Sequence, residues 1–142
     1  MAEIVQLTEQ DESSLAQIRS LLKQLYSDAK EIPSSALKDI GTSPSTELWV
    51  IKEGGQVIGM VTINFLQRLG GTSGYIDDVV ILESERGKGL GQKLLERVIE
   101  RARERRARKI SLTSRPSREA ANKLYQKLGF KKKETNAYQL EL

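Results

Sequence analysis

The sequence predicts an α/β domain built on a mixed, mostly antiparallel sheet that is flanked by helices. Three observations predict this class. Two β-rich runs, residues 48–52 and 57–65, surround a diglycine turn; three stretches show amphipathic helical spacing; and an apolar run leads through a glycine-rich turn into one of these helices. A length of 142 residues is typical of one domain, and no repeat or Pro/Ser linker divides it, so residues 1–142 are predicted to form a single domain.

The first third of the chain predicts a strand and two helices. Weak alternation over residues 4–8 predicts a first strand, and the apolar residues of the stretch 15–25 recur at helical spacing. Residues 31–44 contain two prolines and a glycine, which predict a loop with one short helix near residues 35–40. The diglycine hairpin follows directly after this loop.

The middle of the chain predicts a loop, a strand and a basic helix. Residues 69–74 predict the loop, and the apolar run 75–82 predicts the strand. The apolar stripe of the next helix repeats every three or four positions from Leu90 to Ala102. Residues 109–113 predict a further short strand.

The last part of the sequence predicts one more helix and one more strand. A helix over residues 119–128 is expected to end at Gly129, because glycine is the preferred residue just past a helix end. The alternating tail, residues 130–142, predicts a final strand. The predicted order is therefore strand, two helices, three strands, helix, strand, helix, strand.

Two absences restrict the chemistry. The chain contains no Cys and no His, so it cannot form a Ser-His-Asp triad, a thiol nucleophile, a Cys/His zinc site or a disulfide, and no metal is expected. Proton transfer must therefore use carboxylates, Tyr, Lys, the N-terminal amine or water. No secretory signal pattern opens the sequence and no apolar run could span a membrane, so a cytoplasmic protein without a membrane partner is expected.

The positive charge is concentrated in one segment. The net charge is +4, but residues 86–109 hold ten Lys or Arg and only three Glu. Such a segment indicates an anionic partner, whereas the alternative is a solvated helix face of Glu–Arg pairs. Residues 101–109 are interpreted as solvated surface. Nucleic acid is not expected, because only seven residues are aromatic and none lies in the basic segment to stack on bases.

A glycine-rich turn joins the strand 75–82 to the basic helix. Its sequence, Arg86-Gly87-Lys88-Gly89-Leu90-Gly91, places three glycines at alternate positions where a helix begins. Free backbone amides at a helix N-terminus bind phosphate, and glycines let a ligand approach them closely. The Walker pattern is absent, and the Rossmann pattern fails because neither Gln92 nor Leu94 supplies its third glycine. The alternative interpretation is a flexible turn without a ligand.

Two blocks of sequence resemble one family. The pattern Arg86-x-x-Gly89-x-Gly91, after an apolar strand and before an amphipathic helix, resembles the acetyl-CoA pyrophosphate loop of the GNAT superfamily of N-acetyltransferases. The block Asn-Lys-Leu-Tyr-Gln-Lys-Leu-Gly-Phe, residues 122–130, resembles the closing helix of that family. The resemblance extends from about residue 48 to the end of the sequence. It implies the GNAT acyl-CoA N-acyltransferase fold, with acetyl-CoA as co-substrate.

The resemblance also implies where the coenzyme binds. The pantetheine arm is expected to pair with the backbone of Val79, Val80 and Ile81, whose free donors would stabilise a developing oxyanion. The pyrophosphate is expected to lie over the turn and the helix start, with two basic side chains at the rim; these residues are Arg86, Gly87, Lys88, Gly89, Leu90, Gly91 and Gln92. Asn122 is expected to hydrogen-bond the coenzyme. Many relatives carry Asn at the position of Arg118, which leaves the contact at that position open.

Tyr125 is the expected general acid. It matches the tyrosine with which the family protonates the leaving thiolate. A phenol with a pKa of about 10 can donate to a thiolate whose conjugate acid has a pKa near 8.5. The alternative is a core aromatic residue, because Tyr125 shares an apolar helical face with Leu124 and Leu128.

An acidic pair supplies the candidate bases. Amine acetylation needs an unprotonated amine, and Asp77 and Asp78 stand inside an apolar strand, where Asp is a poor strand former. Strand alternation points them to opposite faces, and Asp77 is preferred because acidic residues occupy its position in small GNAT members such as glucosamine-phosphate N-acetyltransferases. The alternative is an ion pair with Arg115 or Lys109. Glu83 is the reserve candidate.

The resemblance implies transfer of acetyl from acetyl-CoA to a primary amine by direct attack in a ternary complex. A small-molecule acceptor is favoured, and its site is expected to be shaped by residues 26–45 and 67–74. A protein or peptide amine remains an alternative, as does a nucleic-acid-binding or coenzyme-sensing protein without turnover. Dimers are common in such enzymes, so a homodimer is left open.

Overall fold

Five strands form one sheet in a computed structural model that describes residues 2–8, 12–25, 33 and 35–142. They lie in chain order across the sheet. Their bounds are β1 (Glu3–Leu7), β2 (Thr46–Glu53), β3 (Gln56–Arg68), β4 (Gly71–Ile81) and β5 (Ile110–Ser111). The first four strands are antiparallel, and β5 is parallel to β4. The predicted α/β class with a mixed, mostly antiparallel sheet is confirmed.

Helices cover both faces of the sheet. They are α1 (Leu15–Leu25), α2 (Ala36–Gly41), α3 (Leu90–Glu104) and α4 (Glu119–Lys127). Leu48 and Val50 of β2 pack with α1 and α2, whereas Trp49 and Ile51 pack with α3 and α4. Successive strand residues point to opposite faces, so a strand covered on both sides must be apolar at nearly every position. This explains the continuous apolar runs in the sequence.

The predicted loop over residues 69–74 is instead a tight hairpin. Strand β3 ends at Arg68 and β4 begins at Gly71, with Arg68 paired to Gly71 and Gln67 to Thr72. The hairpin turn therefore consists of residues 69–70 alone. The sequence shows no strand pattern here, because the ends of β3 and β4 extend beyond the apolar core and their polar side chains give no apolar alternation.

The predicted final strand is wrong. Residues 131–142, here called the arm, form no helix or strand, and every one of them is exposed. The last backbone hydrogen bond before the arm runs from Phe130 N–H to the carbonyl of Tyr125. Alternation specifies which side chains share a face, but a strand also needs a neighbour to receive its backbone hydrogen bonds. Within the described part of one chain the arm has no such neighbour.

The segment 101–109 is only in part the solvated surface that its charge predicts. Glu47 of β2 is buried at 4% exposure and accepts hydrogen bonds from Arg101 (2.9 Å), Arg105 (2.9 Å) and Trp49 Nε1 (3.0 Å). The guanidinium of Arg105 also lies 4.2 Å from the centre of the Phe65 ring. The expected Glu–Arg pairs exist as well, as in Arg101 with Glu104 at 3.2 Å. Part of the basic segment therefore stabilises the fold.

The Glu47 network predicts a stability effect that depends on pH. Burial raises the pKa of Glu47, but hydrogen bonds from Arg101 and Trp49 and the charge of Arg101 outweigh burial and hold that pKa below its usual value. Glu47→Gln should lower the free energy of unfolding by about 2 kcal/mol at pH 7, less than for a fully buried pair because the arginines are partly exposed. Urea unfolding at several pH values measures this.

The sign of the pH effect follows from the lowered pKa. The ionised network stabilises the fold above the pKa that Glu47 has in the unfolded chain, and this contribution is lost as the pH falls through the folded pKa. The wild-type advantage should therefore shrink on acidification. Glu104→Gln is the matched control, because Glu104 forms only exposed pairs and should cost less than about 0.5 kcal/mol. Equal losses in both variants would contradict the structural role of Glu47.

Candidate active site

A bulge interrupts β4 next to its centre. Met60 pairs with Val80 and Thr62 pairs with Asp77, so one residue of β3, Val61, faces two residues of β4. Asp78, the first of these two, has a φ of +53°, which is uncommon for a residue other than glycine. Bulges that force such a backbone conformation occur often beside functional sites.

The two aspartates of the bulge have different surroundings. Asp77 is exposed, and its Oδ1 accepts the backbone N–H of Asp78 at 3.0 Å. The buried Thr62 hydroxyl donates toward the Asp77 carbonyl (3.1 Å) and Asp78 Oδ2 (3.2 Å). Asp tolerates the left-handed conformation better than most residues, and Asp77 satisfies the amide of the bulge. These contacts explain why two aspartates interrupt an apolar strand.

Asp78 borders an apolar cavity of about 100 Å³ between the sheet and the first two helices. The walls are apolar side chains of α1, α2, β2 and β3, among them Leu15, Ile18, Leu37 and Met60, and Asp78 is the one charged residue that the described part of the chain contributes to the lining. Of the segment expected to shape the acceptor site, residues 36–40 contribute to these walls, whereas residues 26–32 and 34 lie outside the described part of the chain. The alternative interpretation is an ion pair of either aspartate with Arg115 or Lys109, and Asp77 forms no such pair among the described residues.

Strands β4 and β5 separate soon after they begin to pair. The two strands pair only at Gly74 with Ile110 and at Tyr75 with Ser111. The Tyr75 hydroxyl still contacts Thr113 Oγ1 at 3.2 Å. Beyond this point no described strand lies beside β4 on its β5 side, where Val79 ends the bulge and Val80 and Ile81 follow it. The sheet thus opens at the positions where the resemblance implies the pantetheine arm.

The glycine-rich turn forms a cradle at the start of α3. Gly87 and Gly89 have φ values of +81° and +77°, and no atom lies within 4 Å of where a Cβ would stand on either residue. Gly91 differs, since its Cβ would point inward and meet Leu124 at 3.5 Å and Ile81 at 3.7 Å. Two glycines therefore open the backbone to the outside, and the third permits close helix packing. An outward-facing helix start of this shape suits a pyrophosphate.

The basic side chains of the cradle already have partners. Arg86 Nε donates to the Ile81 carbonyl at 3.1 Å, and Lys88 lies 2.7 Å from Glu85. The hydrogen bond and charge of Glu85 raise the pKa of Lys88. Gln24 of α1, which sequence analysis missed, accepts hydrogen bonds from Glu83 N–H (3.1 Å) and Arg86 (3.4 Å). No sequence signal could reveal this contact, because Gln24 is about sixty residues away along the chain.

Tyr125 combines a buried ring with a hydroxyl that has no hydrogen-bond partner among the described residues. The ring is 8% exposed and meets Phe130 edge-on at 6.0 Å between centroids. Burial raises the pKa of Tyr125, against the smaller opposing effect of the Arg118 charge, so the phenol stays protonated to alkaline pH. No buried side-chain oxygen or nitrogen in the described residues lacks a hydrogen-bond partner. The unbonded Tyr125 hydroxyl therefore reaches solvent.

Asn122 has a structural contact in addition to its expected role. Its amide nitrogen donates to the carbonyls of Arg115 (2.9 Å) and Arg118 (2.8 Å), which fixes the turn before α4. Only the Oδ1 atom is left for a ligand, so a coenzyme contact through Asn122 would have to come from a donor group. Its role toward the coenzyme stays a prediction.

The fold and these features define a class: an α/β protein whose sheet opens beside a bulged strand and whose helix start can receive phosphates. The acetyltransferase (GNAT) family model matches residues 15–130, so the chain belongs to the GNAT acetyltransferase family. The resemblance read from the two sequence blocks is confirmed. Family membership supports an acyltransferase, and the family generally uses acetyl-CoA.

Solved structures share this fold. One is an aminoglycoside acetyltransferase from an uncultured soil metagenomic sample, in complex with sisomicin. It is 15% identical in sequence, with a TM-score of 0.89, and the match covers 99% of this chain and 96% of that chain. A Trypanosoma brucei acetyltransferase is 27% identical, with a TM-score of 0.83 and full coverage of both chains. Glucosamine-6-phosphate N-acetyltransferase from Arabidopsis thaliana is 21% identical, with a TM-score of 0.83, and the match covers 99% of this chain and 98% of that chain.

No group of three or more His, Cys, Asp or Glu among the described residues could hold a metal ion. No helix in the described part of the chain is long and apolar enough to cross a lipid bilayer.

Proposed function

We propose that this protein is an N-acetyltransferase that transfers the acetyl group of acetyl-CoA to a primary amine of a small molecule, by direct attack in a ternary complex. The observation that carries the proposal is the arrangement along β4: an open strand edge and a phosphate cradle lie at one end, and a bulge bordering a cavity lies beside them. A ligand that is both phosphorylated and extended matches the first two features.

The coenzyme fits the residues that would hold it. Gly87 and Gly89 leave room above the backbone for a pyrophosphate. The open edge of β4 at residues 79–81 would offer backbone groups to an extended amide chain, apart from the Ile81 carbonyl, which already accepts a hydrogen bond from Arg86. Acetyl-CoA, when bound, supplies the activated acyl group, and donors near Val80 and Ile81 would stabilise negative charge on its carbonyl oxygen.

Proton transfer is proposed to fall to Tyr125 and an aspartate of the bulge. The Tyr125 phenol stays protonated because burial raises its pKa, and its hydroxyl is free to donate to a leaving thiolate. An ammonium group entering the apolar cavity meets the carboxylate of Asp78, which can orient it and, directly or through water, accept its proton. Asp77 as the base stays a prediction, and it sits one residue away on the exposed side of the bulge.

The proposed acceptor is a small molecule. The cavity of about 100 Å³ beside Asp78 takes a small group that carries an amine. Two of the structural relatives carry names that refer to aminoglycoside and glucosamine-6-phosphate acetylation, although relatives this distant share only the fold. The arginines that suggested nucleic acid are partly engaged with Glu47, which further weakens that alternative.

The experiment that tests the proposal measures free thiol released from acetyl-CoA in the presence of an amine panel. The panel contains amino sugars, polyamines, aminoglycosides, amino acids and a lysine peptide. We expect release with at least one small amine, and the chain contributes no background because it has no Cys. Turnover of the peptide alone would favour the protein acceptor. Coenzyme binding with no turnover on any amine would favour a sensor.

The two aspartates are distinguished by their pH–rate profiles. If Asp78 is the base, Asp78→Asn should lower kcat/KM about a hundredfold and remove the acidic limb of the profile, because that limb reports ionisation of the base. Asp77→Asn should then keep the acidic limb. Loss of the acidic limb in Asp77→Asn and its retention in Asp78→Asn would assign the base to Asp77. Glu83→Gln provides the same test for Glu83, the reserve candidate.

A further inference from the structure

The cavity beside Asp78 has almost entirely apolar walls. Helices α1 and α2 contribute three apolar side chains each, and β2 and β3 contribute one each. The two remaining described residues of the lining are Thr62 and Asp78. Apolar side chains make no strong hydrogen bonds, so a cavity with such walls holds water poorly and takes hydrocarbon readily. The walls therefore favour a ligand with an apolar group.

The polar groups of the lining lie together at the bulge of β4. The Thr62 hydroxyl is 3.2 Å from Asp78 Oδ2, Thr62 is buried, and Asp78 is half-buried. A single carboxylate beside apolar walls is complementary to a ligand that has one cationic group with hydrocarbon next to it. An ammonium group of such a ligand would lie against the carboxylate while its carbon chain lies against the walls.

The same walls disfavour hydroxyl groups. An alcohol group that moves from water into an apolar site without a hydrogen-bond partner costs free energy. Among the described residues of the lining, only Thr62 and Asp78 carry polar side chains, and both would face the amine. Amino sugars and aminoglycosides carry hydroxyl groups close to their amines, so their rings would meet apolar side chains instead of hydrogen-bonding groups.

We propose that the acceptor is an aliphatic primary amine, whose ammonium group faces Asp78 and whose carbon chain fills the apolar cavity, and that polyhydroxylated amines are poor acceptors. This inference rests on the proposed function. The nitrogen–carbon bond to the acetyl group forms and the carbon–sulfur bond breaks, so an alkylammonium ion and acetyl-CoA give an N-alkylacetamide, free coenzyme A and one proton. The nitrogen loses two protons: one is released through Asp78, and the other balances the proton that Tyr125 donates to the leaving sulfur.

Thiol release from acetyl-CoA with matched amines tests the class of acceptor. The two amines n-butylamine and propanolamine have equal numbers of non-hydrogen atoms, and in propanolamine a hydroxyl replaces the terminal methyl group. We expect kcat/KM to be at least about tenfold higher for n-butylamine, because the hydroxyl would lose its hydration in the cavity. From ethylamine to n-butylamine, each added methylene should raise kcat/KM about fourfold, the factor expected for burying one methylene.

A polar substitution in the wall should weaken this discrimination. Leu22 of α1 lines the cavity and is only half-buried, so Leu22→Asn makes the wall polar without placing an amide in the core. The ratio of kcat/KM for n-butylamine to that for propanolamine should fall about tenfold. Leu25→Asn is the matched control and should keep the wild-type ratio. Leu25 is also half-buried on α1 in the same apolar cluster, but it is not among the described residues that line the cavity.

The possible outcomes separate this inference from the proposed function. Each ratio compares two amines on one preparation, so it does not depend on how much of a variant is folded. Turnover of propanolamine or glucosamine as fast as n-butylamine would overturn the inference and leave the proposed function standing. An unchanged ratio in Leu22→Asn, or equal changes in Leu22→Asn and Leu25→Asn, would overturn it as well. Absence of thiol release with every amine would contradict the proposed function, and the inference with it.

Discussion

Tyr125→Phe is expected to lower the rate of acetyl transfer about a hundredfold or more while the affinity for acetyl-CoA stays nearly unchanged. A positioned general acid typically contributes a factor of this size, and the substitution removes only the hydroxyl. The ring contact with Phe130 remains, and no hydrogen bond within the described chain is lost. Stability should therefore change little, so the loss of rate would report chemistry. Steady-state thiol release and equilibrium coenzyme binding measure the two quantities.

The control for this prediction is Tyr138→Phe, which makes the same chemical change on an exposed residue of the arm. It should keep full activity, because the apolar ring of residue 138 is retained. Since burial raises the pKa of Tyr125, the wild type should keep its acid in the active form up to alkaline pH. Unchanged turnover in Tyr125→Phe would leave Tyr125 as a core aromatic residue.

Gly89→Val should weaken acetyl-CoA binding at least about a hundredfold without unfolding the domain. The side chain would stand in the open space above the cradle, where it would keep a pyrophosphate from the amides; losing two charge-assisted hydrogen bonds is enough for this factor. Apart from the two neighbouring residues, no described atom lies within 4 Å of the added Cβ, so the cost to folding comes from the φ of +77°, about 2 kcal/mol. Calorimetric titration measures the affinity.

Two other glycines separate ligand exclusion from backbone strain. Gly55 in the β2–β3 turn has a φ of +79° and equally open space, so Gly55→Val should cost similar stability but keep coenzyme affinity. Gly91→Ala should keep both, because its Cβ points inward at ordinary contact distance and its φ is not positive. Equal loss of affinity in Gly55→Val and Gly89→Val would show that strain alone explains the effect. Normal binding by Gly89→Val would remove the cradle from the coenzyme site.

The features proposed to bind the coenzyme were predictable because each is encoded locally. The glycine-rich turn has glycines at alternate positions between a strand and a helix, and Tyr125 belongs to the second sequence block on α4, so a single chain segment carries each feature. The proposed acceptor site is different. The cavity beside Asp78 is assembled from four elements, and the bulge that directs Asp78 arises from pairing between β3 and β4. Alternation placed the two aspartates on opposite faces, but no local pattern could show that a cavity lies beside Asp78.

The sequence by itself determined the fold class and the family, through the hydrophobic periodicities and the glycine-rich turn. The absence of Cys and His also excluded thiol, histidine and Cys/His zinc chemistry at the site. Only the tertiary structure decided the roles of the charges and of the arm. Arg101 and Arg105 stabilise the fold because Glu47, more than fifty residues away along the chain, is buried beneath them. The arm has the alternation of a strand but pairs with no strand in the described part of the chain. Charge burial and strand pairing both depend on residues distant in sequence, and periodicity carries no information about such neighbours.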